Sequence, residues 1–139
     1  AAALLQADGV HVGQSDCSIQ QARAILGKSA CIGVSAHNLE EARMAQQGGA
    51  DYIGCGAVFG SATKQDATPL SRETLRTICQ GVSIPVVAIG GITAQNVQQL
   101  AGSGIQGIAV VSAIFGQPDK TEAARQMHQL ANQVCGGAQ

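Results

Sequence analysis

Aromatic residues are scarce in this chain of 139 residues: one tyrosine, two phenylalanines and no tryptophan. Eight Lys+Arg stand against nine Asp+Glu, for a formal charge of −1, with no basic run. Without rings to stack bases or a positive stripe to hold phosphates, a nucleic-acid surface is not expected. Long apolar runs are also missing. No stretch reaches the roughly 18 apolar residues of a membrane span, so no membrane partner is expected either. The opening Ala1-Ala2-Ala3-Leu4-Leu5 carries no basic flank and does not read as a signal peptide; it looks like a helix cut in the middle. The cysteines (Cys17, Cys31, Cys55, Cys79, Cys135) are odd in number and form no C-x-x-C pair, which argues against a zinc knuckle or a complete disulfide framework. Each lies in or beside an apolar segment and is read as a reduced thiol acting as a small hydrophobe, as in a cytoplasmic protein. His11, His37 and His128 show no i, i+4 pairing, so hydrogen bonding rather than zinc ligation is their expected role.

What the chain has is glycine and aliphatic bulk: 18 glycines and 45% hydrophobic residues against 12% charged ones. One domain with an aliphatic core and many tight turns follows. Five short runs, Gly9 to Val12, Cys31 to Val34, Tyr52 to Phe59, Ile84 to Ile89 and Gly107 to Val111, are nearly continuous in apolar and glycine residues, like strands covered on both faces. Between them come helix starts: Ser18 with Gln21, Asn38 with Glu41, Ser71 with Thr74, Thr93 with Asn96 and Asp119 with Glu122. The first, second and fifth have capping-box character. Glycine follows each helical stretch, at Gly27, Gly48, Gly81, Gly102 and Gly136, as a C-terminal stop.

Regular strand-helix alternation leaves two architectures, an open doubly wound sheet or a (βα)8 TIM barrel. The strand ends favour the barrel. Gln14 and Asp16, Ser35 and His37, Ser61, Thr63 and Lys64, Gly90 and Gly91, and Ser112 all follow strands, where a barrel assembles its active site. Five units of about 28 residues each fill the chain, and eight would need roughly 220, so the expectation is α/β, a partial barrel of five βα units. Two of these strand ends, Ile89-Gly90-Gly91-Ile92 and Val111-Ser112, have the glycine and serine that let a backbone close around a phosphate.

Six segments in order then resemble thiamine-phosphate synthase: Gly9 to Asp16, Gly33 to Asn38, Gly49 to Phe59, Thr63-Lys64, Ile89 to Ile92 and Val110 to Ile114. The resemblance runs through essentially the whole chain. It implies a (βα)8 barrel and a transferase that couples 4-amino-2-methyl-5-hydroxymethylpyrimidine diphosphate to thiazole phosphate, giving thiamine phosphate and pyrophosphate with magnesium. It also implies that residues 1–139 are one domain, the C-terminal part of such a barrel. The expected partners are the two small-molecule substrates, with self-association into a homo-oligomer left open.

Carried over by position, the resemblance makes Asp16 the magnesium ligand, Ser35 and Lys64 the catalytic contacts to the pyrimidine diphosphate, and Ser61, Thr63, Lys64, Gly91, Val111 and Ser112 substrate contacts, mostly on the thiazole phosphate side. Each position has a plainer reading beside it. Asp16 could cap the helix that begins near Ser18, Lys64 could be a solvated loop lysine, and Gly91 could serve only the turn before Thr93. Ser61 stands where the family usually has threonine and Ala57 where proline is common. A related thiazole tautomerase generally has histidine at the position of Ala57, which makes that activity the alternative, with a non-catalytic phosphate-binding fragment as the third reading. Gly33-Val34-Ser35-Ala36-His37 lacks the final glycine of a nucleophile elbow, so a serine hydrolase is set aside. The glycines of Gly54-Cys55-Gly56 are expected to thin a strand beside a ligand.

Overall fold

The computed structural model describes residues 2–60 and 69–136. Five parallel strands, β1 Gly9–Val12, β2 Cys31–Ala36, β3 Tyr52–Cys55, β4 Val86–Ile89 and β5 Gly107–Ala109, lie side by side in the order of the sequence. That order separates the two architectures. A doubly wound sheet reverses direction at a switch point, whereas a barrel adds every strand to the same side of the last one. The helices are α1 Ile19–Leu26, α2 Leu39–Gln47, α3 Arg72–Gly81, α4 Ser112–Phe115 and α5 Lys120–Val134, with a 3-10 turn at Val97–Leu100.

Alternation along the strands sorts their side chains onto two faces. Val12, Ile32, Val34, Ala36, Ile53, Cys55, Val86 and Ala88 are buried and share one hydrophobic core with Ala22, Ala42, Ala45, Leu75, Ile78 and Met127 from the helices. Helices α1, α2, α3 and α5 start where capping predicts. Ser18 forms a complete capping box with Gln21, while Asn38, Ser71 and Asp119 each accept from the backbone N–H three residues on. At Asn38 the box is incomplete, because the Glu41 carboxylate accepts from the N–H of His37 instead.

The N-terminal ends of β2 and β3 are fastened by one ion pair. The Arg23 guanidinium reaches the carbonyls of Ala30 and Gly49 and lies 2.9 Å from Asp51 Oδ2, which also accepts from the N–H of Ile32 at 2.7 Å. That N–H first, and the guanidinium second, hold the Asp51 carboxyl below its ordinary value.

Several expectations require correction. The run Tyr52 to Phe59 is strand only as far as Cys55; beyond it the N–H groups of Val58 and Phe59 donate to the carbonyls of Ile89 and Gly90, so the segment folds over the end of β4. Thr93 does not cap a helix. Its N–H donates to Asn96 Oδ1, Asn96 Nδ2 donates to the carbonyl of Gly91, and only a single 3-10 turn follows. Helix α4 was not expected, and it begins one residue after Val111 leaves the sheet geometry. Residues 2–6 form turns rather than a helix, with Gln6 at φ 52°. The reading of all five cysteines as small hydrophobes holds for Cys55, Cys79 and Cys135 and fails for Cys17 and Cys31, which are exposed. Burial pushes the Cys55 thiol up to about 12 and that of Cys79 up to about 11, so neither is a nucleophile.

Candidate active site at the strand ends

A cavity of about 570 Å3 opens on the concave face of the sheet and at the C-terminal ends of its strands. Ser35 enters it from β2, Gly90 and Gly91 from the turn after β4, and Val111 and Ser112 from the junction of β5 with α4. Four of the expected site residues, Ser35, Gly91, Val111 and Ser112, are therefore brought together although 77 residues separate the first from the last. Ser61, Thr63 and Lys64 lie outside the described residues. Asp16 does not line the cavity. It sits in the turn after β1, where its Oδ2 accepts from the N–H of Gly13 at 2.6 Å, and that turn is tied to the cavity wall by Gln14 Nε2, which donates to the carbonyl of Ser35 at 2.6 Å.

Asp16 does not cap α1, because Ser18 does. Its Oδ1 takes no hydrogen bond from a described residue, and the residue is exposed. Among the described residues no group of three or more His, Cys, Asp or Glu could hold a metal. A lone exposed carboxylate suits a hard cation completed by phosphate and water, since magnesium is commonly held by one or two carboxylates and substrate oxygens.

The turn at Gly90-Gly91 is demanding in its own right. Gly91 has φ 64°, and a Cβ there would stand 2.8 Å from the carbonyl oxygen of Gly60 and 2.9 Å from that of Phe59. Only glycine fits both the angle and the contact. Among the described residues, none of the turn and cap hydrogen bonds uses the N–H of Gly91, Ile92, Val111 or Ser112. Val111 is exposed and lines the cavity beside Ser112. Backbone N–H groups left without a described partner at a cavity are suited to an anion.

Three residues of this surface, His11, Tyr52 and His37, are not among the expected substrate, catalytic or metal contacts, and the two histidines make the hydrogen bonds expected of them. His11 Nδ1 lies 2.9 Å from Tyr52 Oη and His11 Nε2 lies 2.8 Å from Ser35 Oγ, joining β1, β2 and β3 across the concave face. Burial lowers the pKa of His11 against the opposing attraction of Asp16, and burial raises that of Tyr52 with a smaller push from Cys31. His37 lines the cavity too, with Nδ1 3.0 Å from Glu41 Oε2. Burial alone would raise Glu41, but the hydrogen bonds from the His37 backbone and ring bring it below its ordinary value. Period-two alternation was the available signal: His11, Ser35 and Tyr52 all fall on positions that face away from the buried valines and isoleucines. Gly54 in β3 and Gly56 just beyond it both line the cavity, and a Cβ at Gly54 would meet the His11 ring while one at Gly56 would meet Ile89.

Sequential parallel strands backed by helices, with a cavity at their C-terminal ends, define an α/β protein of the TIM-barrel type. The family model described as thiamine monophosphate synthase matches residues 1–114, and the chain belongs to that family. A thiamine-phosphate synthase of Ruminiclostridium cellulolyticum is 53% identical over 124 residues, which are 89% of this chain and 59% of that relative. Among solved structures, thiamine phosphate pyrophosphorylase from Pyrococcus furiosus matches with a TM-score of 0.87 and 41% identity, covering 97% of this chain and 64% of that one. The 3-hexulose-6-phosphate synthase of Salmonella typhimurium, at 24% identity and a TM-score of 0.72, shares the fold. The chain spans about three fifths of the length of the curated relatives it matches.

Proposed function

We propose that this chain carries the substrate-joining face of a thiamine-phosphate synthase, where the diphosphate of a pyrimidine is displaced by the nitrogen of a thiazole phosphate. The observation that carries the reading is the convergence of Ser35, Gly91, Val111 and Ser112 on one cavity at the strand ends. The reaction needs no enzyme nucleophile. The C–O bond to the diphosphate breaks, the electron pair leaves with pyrophosphate, and the thiazole nitrogen forms the new C–N bond. The protein holds the two substrates together and neutralises the departing charge.

In this reading the N–H groups of Gly91, Val111 and Ser112, with the Ser112 hydroxyl, take the thiazole phosphate, joined by Ser61 and Thr63. Ser35 donates to the diphosphate, and Lys64 supplies a mobile positive charge that follows it as it leaves. Asp16 would hold magnesium through its carboxylate, and the ion when bound adds charge neutralisation at the diphosphate. The tautomerase alternative has nothing in its favour at position 57: Ala57 lines the cavity and offers no group to move a proton.

The test is a product assay with both substrates on the protein and its Lys64→Ala variant. Thiamine phosphate and pyrophosphate are the expected products, with kcat reduced in the variant by tenfold or more and the KM for thiazole phosphate little changed. Isomerisation of the thiazole without coupling would replace the reading with the tautomerase one, and a raised thiazole KM at full kcat would move Lys64 away from the diphosphate.

A further inference from the structure

The concave face contains a chain of three hydrogen-bonding side chains whose direction can be deduced. His11, Gly33 and Tyr52 share one row of the sheet register, on β1, β2 and β3. The glycine in the middle lets the outer rings meet across it, with centroids 5.5 Å apart, since a Cβ on Gly33 would fall on the Tyr52 ring. In the next row Ser35 stands opposite Gly54, where a Cβ would come within 2.7 Å of His11 Cε1. Two positions of the inner face thus lack side chains where the Tyr52 and His11 rings lie. Tyr52 Oη then reaches His11 Nδ1, and His11 Nε2 reaches Ser35 Oγ.

We propose that Tyr52 is a positioning residue whose hydroxyl fixes His11 as the Nε2–H tautomer, so that His11 donates to Ser35 Oγ and leaves the Ser35 hydroxyl proton to point into the cavity. A neutral imidazole has one acceptor nitrogen and one donor, and here both neighbours are hydroxyls able to play either part. They compete for a single acceptor. The phenol, with an ordinary pKa of about 10, is a much stronger acid than an aliphatic alcohol, and its oxygen is the poorer acceptor because its lone pair is drawn into the ring. Tyr52 therefore donates to Nδ1, the proton of the imidazole stays on Nε2, and Ser35 accepts. The hydrogen bond at one ring nitrogen decides the state of the other. Burial keeps His11 neutral and Tyr52 protonated, as this arrangement requires. An anionic ligand needs a donor from Ser35. The opposite direction would commit the serine proton to Nε2 and turn lone pairs toward the anion.

The inference rests on Ser35 as a diphosphate contact, and its test separates the two. Long-range 1H–15N correlation of the His11 ring in the ligand-free protein at neutral pH reads the tautomer directly. Nε2–H in the unsubstituted protein, with loss of that fixed pattern in Tyr52→Phe, is the expected result. Nδ1–H, or a spectrum unchanged by Tyr52→Phe, overturns the proposal. Titration with inorganic pyrophosphate reads the consequence: Tyr52→Phe and Ser35→Ala each weaken binding, by up to about tenfold, and the double variant is no worse than Ser35→Ala alone. Additive losses would overturn the shared route. His11→Gln, which keeps a donor near the Nε2 position, should retain most of the affinity, and His11→Asn should not; the reverse order also overturns it. Where the tautomer result holds and the unsubstituted protein fails to bind pyrophosphate, the positioning role stands and the diphosphate reading of Ser35 falls.

Discussion

The two faces of the same five strands are built from opposite materials. Facing the helices are Ile32, Val34, Ile53, Cys55, Val86 and Ala88, all buried. Facing the concavity are His11, Ser35, Tyr52, Ile89 and Ala109, with glycine between them, and all of these are at least partly exposed. Residues adjacent in sequence thus have separate tasks. The outer set removes apolar surface from water and fixes the strands, at about 25 cal/mol per Å2 of area buried. The inner set contributes little to that core and is free to carry polar groups, provided small residues leave them room.

The largest effect should come from testing neighbours on one strand. Ile53→Ala empties a fully buried site and should cost about 2–5 kcal/mol, whereas Tyr52→Phe removes one hydrogen bond from a partly exposed ring and should cost about 0.5–1.5 kcal/mol. Urea unfolding of the two variants measures both. Equal costs would mean that the concave face is also structural, and the contrast between the faces would disappear.

Gly91 is where the contrast is weakest, because the cavity is lined there by a residue that the fold also needs. A Cβ at this position meets two backbone carbonyls and forces a left-handed angle on a residue that disfavours it. Gly91→Ala should therefore destabilise by about 1–2 kcal/mol before any ligand is added, as thermal unfolding would show. Valine, the obvious choice for blocking a phosphate, clashes more and cannot separate the two roles. Unchanged stability in Gly91→Ala would show that the turn adapts and that glycine is kept there for the ligand alone.

The sequence reveals the outer face more readily than the inner one. Aliphatic runs and capping serines place the strands and most of the helices to within a few residues, because burial and capping act locally. Ser35, Gly91, Val111 and Ser112 are legible as strand-end positions and do converge. His11 and Tyr52 are not, since runs read as continuously apolar conceal the alternation that turns both rings to one side. The extent of β3 is misread for a similar reason: Val58 and Phe59 look like strand, but their N–H groups are used by the end of β4, a long-range pairing that no local pattern announces. Thr93 and Asn96 have the spacing of a cap, yet the hydrogen bond runs from the Thr93 backbone to the Asn96 side chain and closes a turn.

The smallest expected effect concerns the opposite end of the strands, where Arg23 and Asp51 join β2 and β3 away from the cavity. Asp51 has its folded pKa lowered from 3.8, by the Ile32 N–H and then by Arg23, so the unfolded chain binds its proton more readily. A depressed carboxyl contributes stability in full above its unfolded value and loses it as pH falls through the folded value. The window is therefore below pH 3.8. With the Asp51 side chain 46% exposed, screening limits the contribution to at most about 1 kcal/mol. Asp51→Asn, which keeps an acceptor for Ile32 but no charge for Arg23, should be slightly less stable than the unsubstituted protein at neutral pH. The two should converge as urea midpoints are followed into acid. A gap that stays constant with pH would assign the role of Asp51 to its shape and hydrogen bond, leaving its charge without effect. Pyrophosphate affinity at neutral pH should be the same in both, because this fastening holds the end of the sheet opposite the cavity.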